Sequence, residues 1–79
     1  MRHRIDLHGL THDQAVAKLE AELIGISLGK NWDVEIITGK SKQMQDRIIT
    51  EVLDTHRFLY YIPVSNPGVI HVTEDALFI

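Results

Sequence analysis

The sequence predicts an α/β fold, a two-layer α/β sandwich in which a mixed four-stranded sheet carries two helices on one face. Two patterns predict it. Short stretches alternate apolar and polar residues, as half-buried strands do, and between them apolar residues recur at three- and four-residue steps, as on amphipathic helices. The resulting order is β-α-β-α-β-β, and strands alternating with helices imply parallel, right-handed crossovers. Because only two helices cover the sheet, its other face is expected to be largely open.

The first strand lies in the stretch IDLHGLT, residues 5–11. Apolar residues alternate there with Asp6 and His8, which is typical of a strand with one buried face. The strand is predicted to end at Gly9.

The first helix is predicted from about Thr11 to Leu28. Thr11 followed by Gln14 matches a capping box, in which hydroxyl and amide satisfy the free backbone donors of a helix start. Gly29 and Asn31 are stop signals at its end. The apolar stripe of this helix consists of Ala15, Leu19, Leu23 and Ile26.

The second half of the chain predicts a strand, a helix and a hairpin. DVEIIT (33–38) is rich in β-branched residues and indicates a strand, and residues 43–56 carry the stripe of a second amphipathic helix. FLYYIPV (58–64) and GVIHVT (68–73) predict two antiparallel strands, because the SNPG (65–68) between them is turn chemistry.

Composition limits the function classes. The chain has 79 residues, which suits a single domain over residues 1–79, and no cysteine, so neither a disulfide framework nor a thiolate zinc site is expected. No apolar run approaches the roughly 20 residues that span a bilayer, and a cytoplasmic location without membrane contact is expected. A net charge of −3 argues against nucleic-acid binding by general electrostatic attraction, so any such contact must be local.

Two corners of the predicted fold carry the candidate chemistry. The first two strands, if parallel, end at the same edge of the sheet, which places residues 6–9 beside residues 38–42. Ligands of open α/β sheets bind at this carboxyl edge. Asp6 can orient the imidazole of His8, an arrangement used by general acid–base histidines. The loop around Gly39 lets backbone N–H groups approach an anion, and Lys40 adds a positive charge, which together suit a phosphodiester.

Each feature taken singly also has a structural interpretation. An Asp-x-His pair at a strand end is more often structural or merely exposed. Gly9 and Gly39 can serve only to turn the chain, and Lys40 and Lys42 can be solvated loop charges. Convergence of these features on one edge favours the functional interpretation.

The remaining candidates are weaker. No group of histidines and carboxylates shows a metal-ligand spacing, so no metal ligand is assigned. His71 is expected to be a partly exposed sheet residue. Trp32, Tyr60 and Tyr61 are aromatic residues that can stack bases on an open sheet, although core or rim packing is the commoner role.

Three motifs in order resemble those of the Smr domain, the small MutS-related domain. IDLHGLT (5–11) resembles the family's L-D-x-H-G motif, IITGK (36–40) its second-strand glycine motif, and NPGVIHV (66–72) its closing hairpin. The resemblance implies a fold similar to the C-terminal domain of translation initiation factor three. It also implies a nuclease or nucleic-acid-binding module, found alone or at the C-terminus of MutS-type ATPases, whose relatives nick DNA, cleave RNA or act on collided ribosomes.

The resemblance also assigns residues. Asp6, His8 and Gly9 fall on the first motif, and Gly39 and Lys40 fall on the second. The predicted catalytic residues are Asp6 and His8. The predicted nucleic-acid-binding residues are Gly9, Gly39, Lys40, Ser41, Lys42 and Arg47.

The chain departs from the family pattern after the second motif. Ser41 stands where the family usually has a second glycine, and the arginine often found early in the second helix is replaced by Gln45 or Asp46. Arg47 is a candidate to compensate. These departures and the acidic balance favour an alternative function, a non-catalytic module that docks on nucleic acid, a ribosome or a partner domain through the open sheet face.

The leading hypothesis is an endonuclease in which His8 exchanges a proton, Asp6 orients it, and Lys40 with the Gly39 backbone holds the phosphate. RNA is the easier substrate because its 2′-hydroxyl is a built-in nucleophile. DNA nicking would call for a divalent ion such as Mg²⁺, which Asp6 would help to hold.

Overall fold

The computed structural model describes residues 2–74 and has the predicted β-α-β-α-β-β order. Among these residues no helix has the length and apolar character needed to cross a membrane. The elements are β1 (Arg2–Asp6), α1 (His12–Ser27), β2 (Asp33–Ile37), α2 (Lys42–Ile48) with a π-helical continuation (Ile49–Leu53), β3 (Leu59–Tyr61) and β4 (Val69–Thr73).

The four strands form one mixed sheet in the order β1-β2-β4-β3. β1 and β2 are parallel, and Asp6 at the end of β1 lies opposite Ile37 at the end of β2. β4 is antiparallel to both β2 and β3, which confirms the predicted hairpin. The carboxyl ends of β1 and β2 therefore meet at one edge of the sheet.

Both helices cover the same face of this sheet, as predicted. Alternate strand residues point to that face and are buried against the helices, which also contact each other. Residues that are fully buried between the two layers include Leu7, Leu19, Leu23, Val34, Ile36, Ile48, Leu53, Ile70 and Val72. On the opposite face, which no described element covers, Arg4, Glu35, His71 and Tyr61 form a row across all four strands.

The predicted capping box is present at the start of α1. The Thr11 hydroxyl accepts from the Gln14 N–H at 3.1 Å, and the Gln14 side chain accepts from the Thr11 N–H at 3.1 Å. Thr11 and Leu28 are the caps of the helix rather than its first and last residues.

The first strand ends earlier than the prediction of Gly9. β1 ends at Asp6, and the chain then turns, with the Leu10 N–H donating to the Leu7 carbonyl at 3.3 Å. The turn forms there because the Asp6 carboxylate accepts from the His8 N–H, which takes that donor away from any further strand ladder.

The second helix and the hairpin strands are also shorter than predicted. After α2 the helix widens into the π-helical segment, where the Asp54 N–H donates to the Ile49 carbonyl five residues back, and regular helix ends before His56. β3 has three residues, because Pro63 has no N–H with which to continue the ladder.

Candidate active site

The two predicted corners lie side by side. The Leu7 N–H donates to the Ile37 carbonyl at 2.8 Å, which ties the end of β1 to the end of β2. A Cβ built on Gly39 would lie 4.0 Å from the Cβ of His8. Residues that are 31 positions apart in the sequence therefore form one surface, as the parallel crossover requires.

Asp6 and His8 form a close pair at this surface. The Asp6 Oδ1 lies 2.5 Å from the His8 Nδ1 and also accepts from the His8 N–H at 3.1 Å. These hydrogen bonds hold the pKa of Asp6 below its usual value of 3.8, and the one from the ring has the larger effect. The carboxylate is therefore an acceptor only, so the hydrogen between the two groups sits on Nδ1.

This pairing leaves the other ring nitrogen, Nε2, to carry the lone pair of the neutral imidazole. The His8 side chain is 70% exposed, and that of Asp6 is 50% exposed. A group on the solvent side can therefore reach Nε2 and lose a proton to it. The arrangement is that of an oriented general base, although the pair arises from a turn and not from neighbouring positions on a strand face.

Gly39 lies in this site in a role other than the expected one. Its N–H donates to the Gly68 carbonyl at 3.1 Å, so that donor is already used within the chain. Its φ of +69° lies in the left-handed region, where glycine is favoured. Gly39 therefore turns the chain and lets the corner approach His8, and it does not offer its own N–H to an anion.

Gly9, the residue after His8, also has a left-handed backbone conformation. Its φ is +82°, and a Cβ built there would meet no atom within 4 Å. Open space beside Gly9 leaves room for a ligand, but a side chain at this position would be strained by the backbone conformation.

The predicted cations differ in how far they are already compensated. Lys40 is exposed and has no ion-pair or hydrogen-bond partner among residues 2–74. Lys42 is also exposed but lies 3.7 Å from the Asp46 carboxylate one helical turn away. Lys40 is therefore the more available charge for a phosphate.

Arg47 is held by two carboxylates. Its guanidinium donates to Glu51 at 2.8 and 3.1 Å and to Asp13 at 2.8 Å, so it joins α2 to the first turn of α1. These hydrogen bonds raise the pKa of Arg47, those to Glu51 more than the one to Asp13. Arg47 in turn lowers the pKa of Glu51. With its charge opposed in this way, Arg47 is less available to a phosphate than Lys40.

Ser41 is the N-cap of α2. Its hydroxyl oxygen accepts from the Met44 N–H at 3.2 Å. The hydroxyl hydrogen is not used in that bond, so Ser41 can cap the helix and still donate to a ligand. The residue that replaces the family's second glycine thus has a structural function of its own.

Sequence reasoning missed a buried polar network behind the site. Thr38 and Gln45 are only 3% and 7% exposed, and the Gln45 amide nitrogen donates to the Thr38 hydroxyl at 3.0 Å and to the Pro67 carbonyl at 2.6 Å. A polar residue at a core-facing position of the second helix was the available signal, because buried amides occur where they find partners.

The remaining aromatic and histidine candidates lie away from these corners. Trp32 is buried and packs edge-on against Phe58 with ring centroids 6.0 Å apart, so it is a core residue and not a base-stacking one. Tyr61 is exposed and stacks on His71 at 5.1 Å on the open face. His71 is the partly exposed sheet residue that was predicted.

No three metal-ligating side chains converge anywhere in residues 2–74. At the two corners the Asp6 carboxylate is the available oxygen ligand, and its Oδ1 already accepts two hydrogen bonds from His8. Magnesium is commonly held by one or two carboxylates together with substrate phosphates. Asp6 would therefore hold magnesium only together with a substrate phosphate.

Comparison with known proteins places this geometry in a family. The family model described as Smr domain matches residues 5–67, a range that contains both corners and ends in the turn between β3 and β4. Neither the curated proteins nor the solved structures contain a match to the chain. Because the family match covers most of the 79 residues, the chain belongs to the Smr domain family, whose members are nuclease-related domains that bind nucleic acids.

Proposed function

We propose that this domain binds nucleic acid at the joined ends of β1 and β2 and cleaves a phosphodiester there, with RNA as the favoured substrate. The observation that carries the proposal is the Asp6–His8 pair, an exposed imidazole oriented by a carboxylate 2.5 Å away and lying beside Gly39.

In the proposed reaction the Nε2 of His8 takes the proton of a ribose 2′-hydroxyl. The 2′-oxygen then attacks the adjacent phosphorus, the bond from phosphorus to the 5′-oxygen breaks, and the leaving 5′-oxygen takes a proton from water. The hydroxide left behind accepts the proton held on Nε2, which restores the base. The products are a 2′,3′-cyclic phosphate and a 5′-hydroxyl. Asp6 keeps the Nδ1 protonated, which leaves Nε2 as the base throughout the reaction.

Lys40 is the proposed phosphate contact. It is the exposed cation beside Gly39 that has no carboxylate partner in residues 2–74, and a positive charge near the phosphate stabilises the extra negative charge of the transition state. Lys42, Ser41 and Gly9 are proposed to contact the strand around it. Arg47 is also a predicted nucleic-acid contact, but it is a weaker candidate than Lys40 because Asp13 and Glu51 already oppose its charge.

DNA nicking is a less favoured form of the same proposal. DNA has no 2′-hydroxyl, so the nucleophile would be a water, and metal-bound water is the usual source. Asp6 would help to hold such an ion together with the substrate phosphate, whereas the RNA reaction proposed above uses no ion.

A second candidate function is a non-catalytic docking module for a ribosome or a partner protein. The exposed apolar edge of the sheet favours it. Leu59, Tyr61 and Val64 are 50%, 57% and 101% exposed, and edge strand β3 carries no charged residue. Exposed apolar patches commonly mark interaction sites. A cytoplasmic location, as the sequence predicts, is compatible with either function.

The test compares three substrates: an end-labelled single-stranded RNA, the same oligonucleotide with every ribose replaced by 2′-deoxyribose, and a supercoiled plasmid. Each is incubated with the wild type and with His8→Ala, in magnesium and in chelator. The proposal expects RNA cleavage in both buffers, a cyclic phosphate product, no cleavage of the deoxy copy, and loss of activity in His8→Ala.

The other outcomes are equally informative. Cleavage of plasmid alone, and only in magnesium, would replace the RNA mechanism with metal-dependent nicking. Binding without cleavage of any substrate would favour the docking module, and activity that His8→Ala retains would contradict the proposed base.

A further inference from the structure

We propose that Gln45 is a positioning residue of the site, whose buried amide fixes the corner Thr38–Lys40 and thereby holds Gly39 against His8. The inference rests on the proposed function, since it assigns Gln45 a role in the same reaction. Gln45 itself is only 7% exposed and acts through the residues that it holds.

The first observation is that one amide joins three segments. Gln45 belongs to α2, Thr38 follows β2, and Pro67 belongs to the turn before β4. The Nε2 of Gln45 donates to the Thr38 hydroxyl at 3.0 Å and to the Pro67 carbonyl at 2.6 Å, which accounts for both of its hydrogens.

The second observation is that the network continues to the backbone of the corner. The Thr38 oxygen accepts from Gln45, so its hydrogen is directed to the Gly39 and Gly68 carbonyls at 2.9 and 3.1 Å. The Gly68 carbonyl also accepts the Thr38 and Gly39 N–H groups at 2.9 and 3.1 Å. No buried side-chain N or O in residues 2–74 lacks a partner.

The third observation is that the backbone held by this network lies next to His8. A Cβ on Gly68 would lie 3.3 Å from the Gly39 carbonyl carbon and oxygen, and a Cβ on Gly39 would lie 4.0 Å from the His8 Cβ. Gly39 thus lies between His8 and Gly68. Any shift of Thr38 and Gly39 changes the position of Lys40 relative to the imidazole.

An apolar side chain would fill the same space without holding the corner. Gln45→Met keeps the length of the side chain but removes both donors, which leaves the Thr38 hydroxyl and the Pro67 carbonyl without that partner. Thr38→Val removes the hydroxyl from the other side of the same bond with little change in shape. Thr38→Ser keeps the hydroxyl and is the conservative variant.

The test has a readout that does not depend on activity. Amide hydrogen exchange at Gly39, and the nuclear Overhauser effect between His8 and Gly39, are measured in the wild type, Gln45→Met, Thr38→Val and Thr38→Ser. Ile48→Val is the matched control, because it trims a fully buried core residue of the same helix and leaves the polar network intact. Single-turnover cleavage of RNA and RNA affinity are then measured on the same samples.

We expect Gly39 to exchange about tenfold faster in Gln45→Met and in Thr38→Val than in the control. The cleavage rate should fall about tenfold to a hundredfold, with affinity changed much less, since misplacement of reacting groups costs rate. The double variant should be no worse than either single variant because both break one network. Thr38→Ser should resemble the wild type.

Two results would overturn the inference. One is unchanged Gly39 exchange in both variants; the other is faster exchange with an unchanged cleavage rate. If Gln45→Met fails to fold, Thr38→Val decides alone. A wild type that neither binds nor cleaves would overturn the proposed function and with it the role of Gln45 in the reaction, while the exchange data would still decide whether Gln45 holds the corner.

Discussion

At the scale of single residues, the Asp6–His8 pair gives the site its chemistry and its direction. The carboxylate accepts hydrogen bonds from both the ring Nδ1–H and the backbone N–H of His8, so the imidazole has one orientation and one free nitrogen. The left-handed Gly9 that follows makes the tight turn possible. The motif is therefore a local turn in which Asp6 orients His8 and Gly9 lets the chain turn.

The lowered pKa of Asp6 has a consequence for stability against pH. A carboxyl group whose pKa is lower in the folded chain than its usual 3.8 stabilises the fold fully above that value. The contribution is lost as the pH falls through the lower, folded value. The difference in unfolding free energy between wild type and Asp6→Asn, from urea denaturation, should therefore be present at pH 5 and shrink below pH 3.8. A difference that grows on acidification would contradict the assigned hydrogen bonds.

Lys40 should account for the local electrostatic contact with phosphate. Lys40→Gln is expected to weaken RNA binding and to reduce the slope of log affinity against log salt by about 0.7, the loss of one phosphate contact on a single strand. Lys30→Gln is the control, because Lys30 lies near His3 at the other end of β1. Equal salt slopes for Lys40→Gln and the wild type would remove Lys40 from the interface.

At the scale of elements, the helix caps and the ion pair between α1 and α2 hold the corner after β2 in place. Ser41 caps the start of α2 and Thr11 caps the start of α1, each through a hydroxyl that accepts a hydrogen bond from a backbone N–H. Arg47 then joins the two helices through Asp13. The position that departs from the family pattern is thus used to start the helix that follows the corner.

Ser41 gives a graded prediction for helix capping. Ser41→Ala should lower the free energy of unfolding by about 1 kcal/mol, whereas Ser41→Gly, the residue usual in the family, should cost only a few tenths. Thermal or urea unfolding of both variants measures the difference. If alanine were tolerated as well as glycine, the hydroxyl would not be acting as the cap.

The sequence predicts elements better than it predicts their ends and contacts. Apolar periodicity, β-branched content, turn residues and the capping box at Thr11 predict the strands and helices, because these signals are local. The sequence predicts helix to residue 56, whereas the π-helical segment that follows α2 ends at Leu53. The use of the Gly39 N–H was missed because its acceptor, Gly68, is 29 residues away.

At the scale of the whole molecule, the sheet order decides which parts of the sequence meet. The order β1-β2-β4-β3 places β2 beside both β1 and β4, so the corner after β2 contacts the corner after β1 and the turn before β4. Periodicity implied that β1 and β2 are parallel, but it contained no information on which strand pairs with the other side of β2. The sequence therefore predicts the two corners of the candidate site, after β1 and after β2, but not the turn before β4 that contacts the second corner.

The same strand order leaves β3 as an uncharged edge strand. A substitution on β3 therefore distinguishes the two candidate functions. If the domain is an endonuclease acting at the joined ends of β1 and β2, Tyr61→Ala removes the stacking on His71 but leaves the RNA cleavage rate within about twofold, as for a surface change away from the reacting groups. Loss of RNA binding or cleavage in Tyr61→Ala would instead place the functional surface on the open sheet face.

The central claim is that His8 is the base that cleaves RNA at this edge, and one comparison tests it directly. Single-turnover cleavage of one RNA is measured for the wild type, His8→Ala and His3→Ala, the last removing a histidine near the start of β1. We predict cleavage that is retained in His3→Ala and is reduced about a hundredfold or more in His8→Ala. Equal rates in all three proteins would contradict the account.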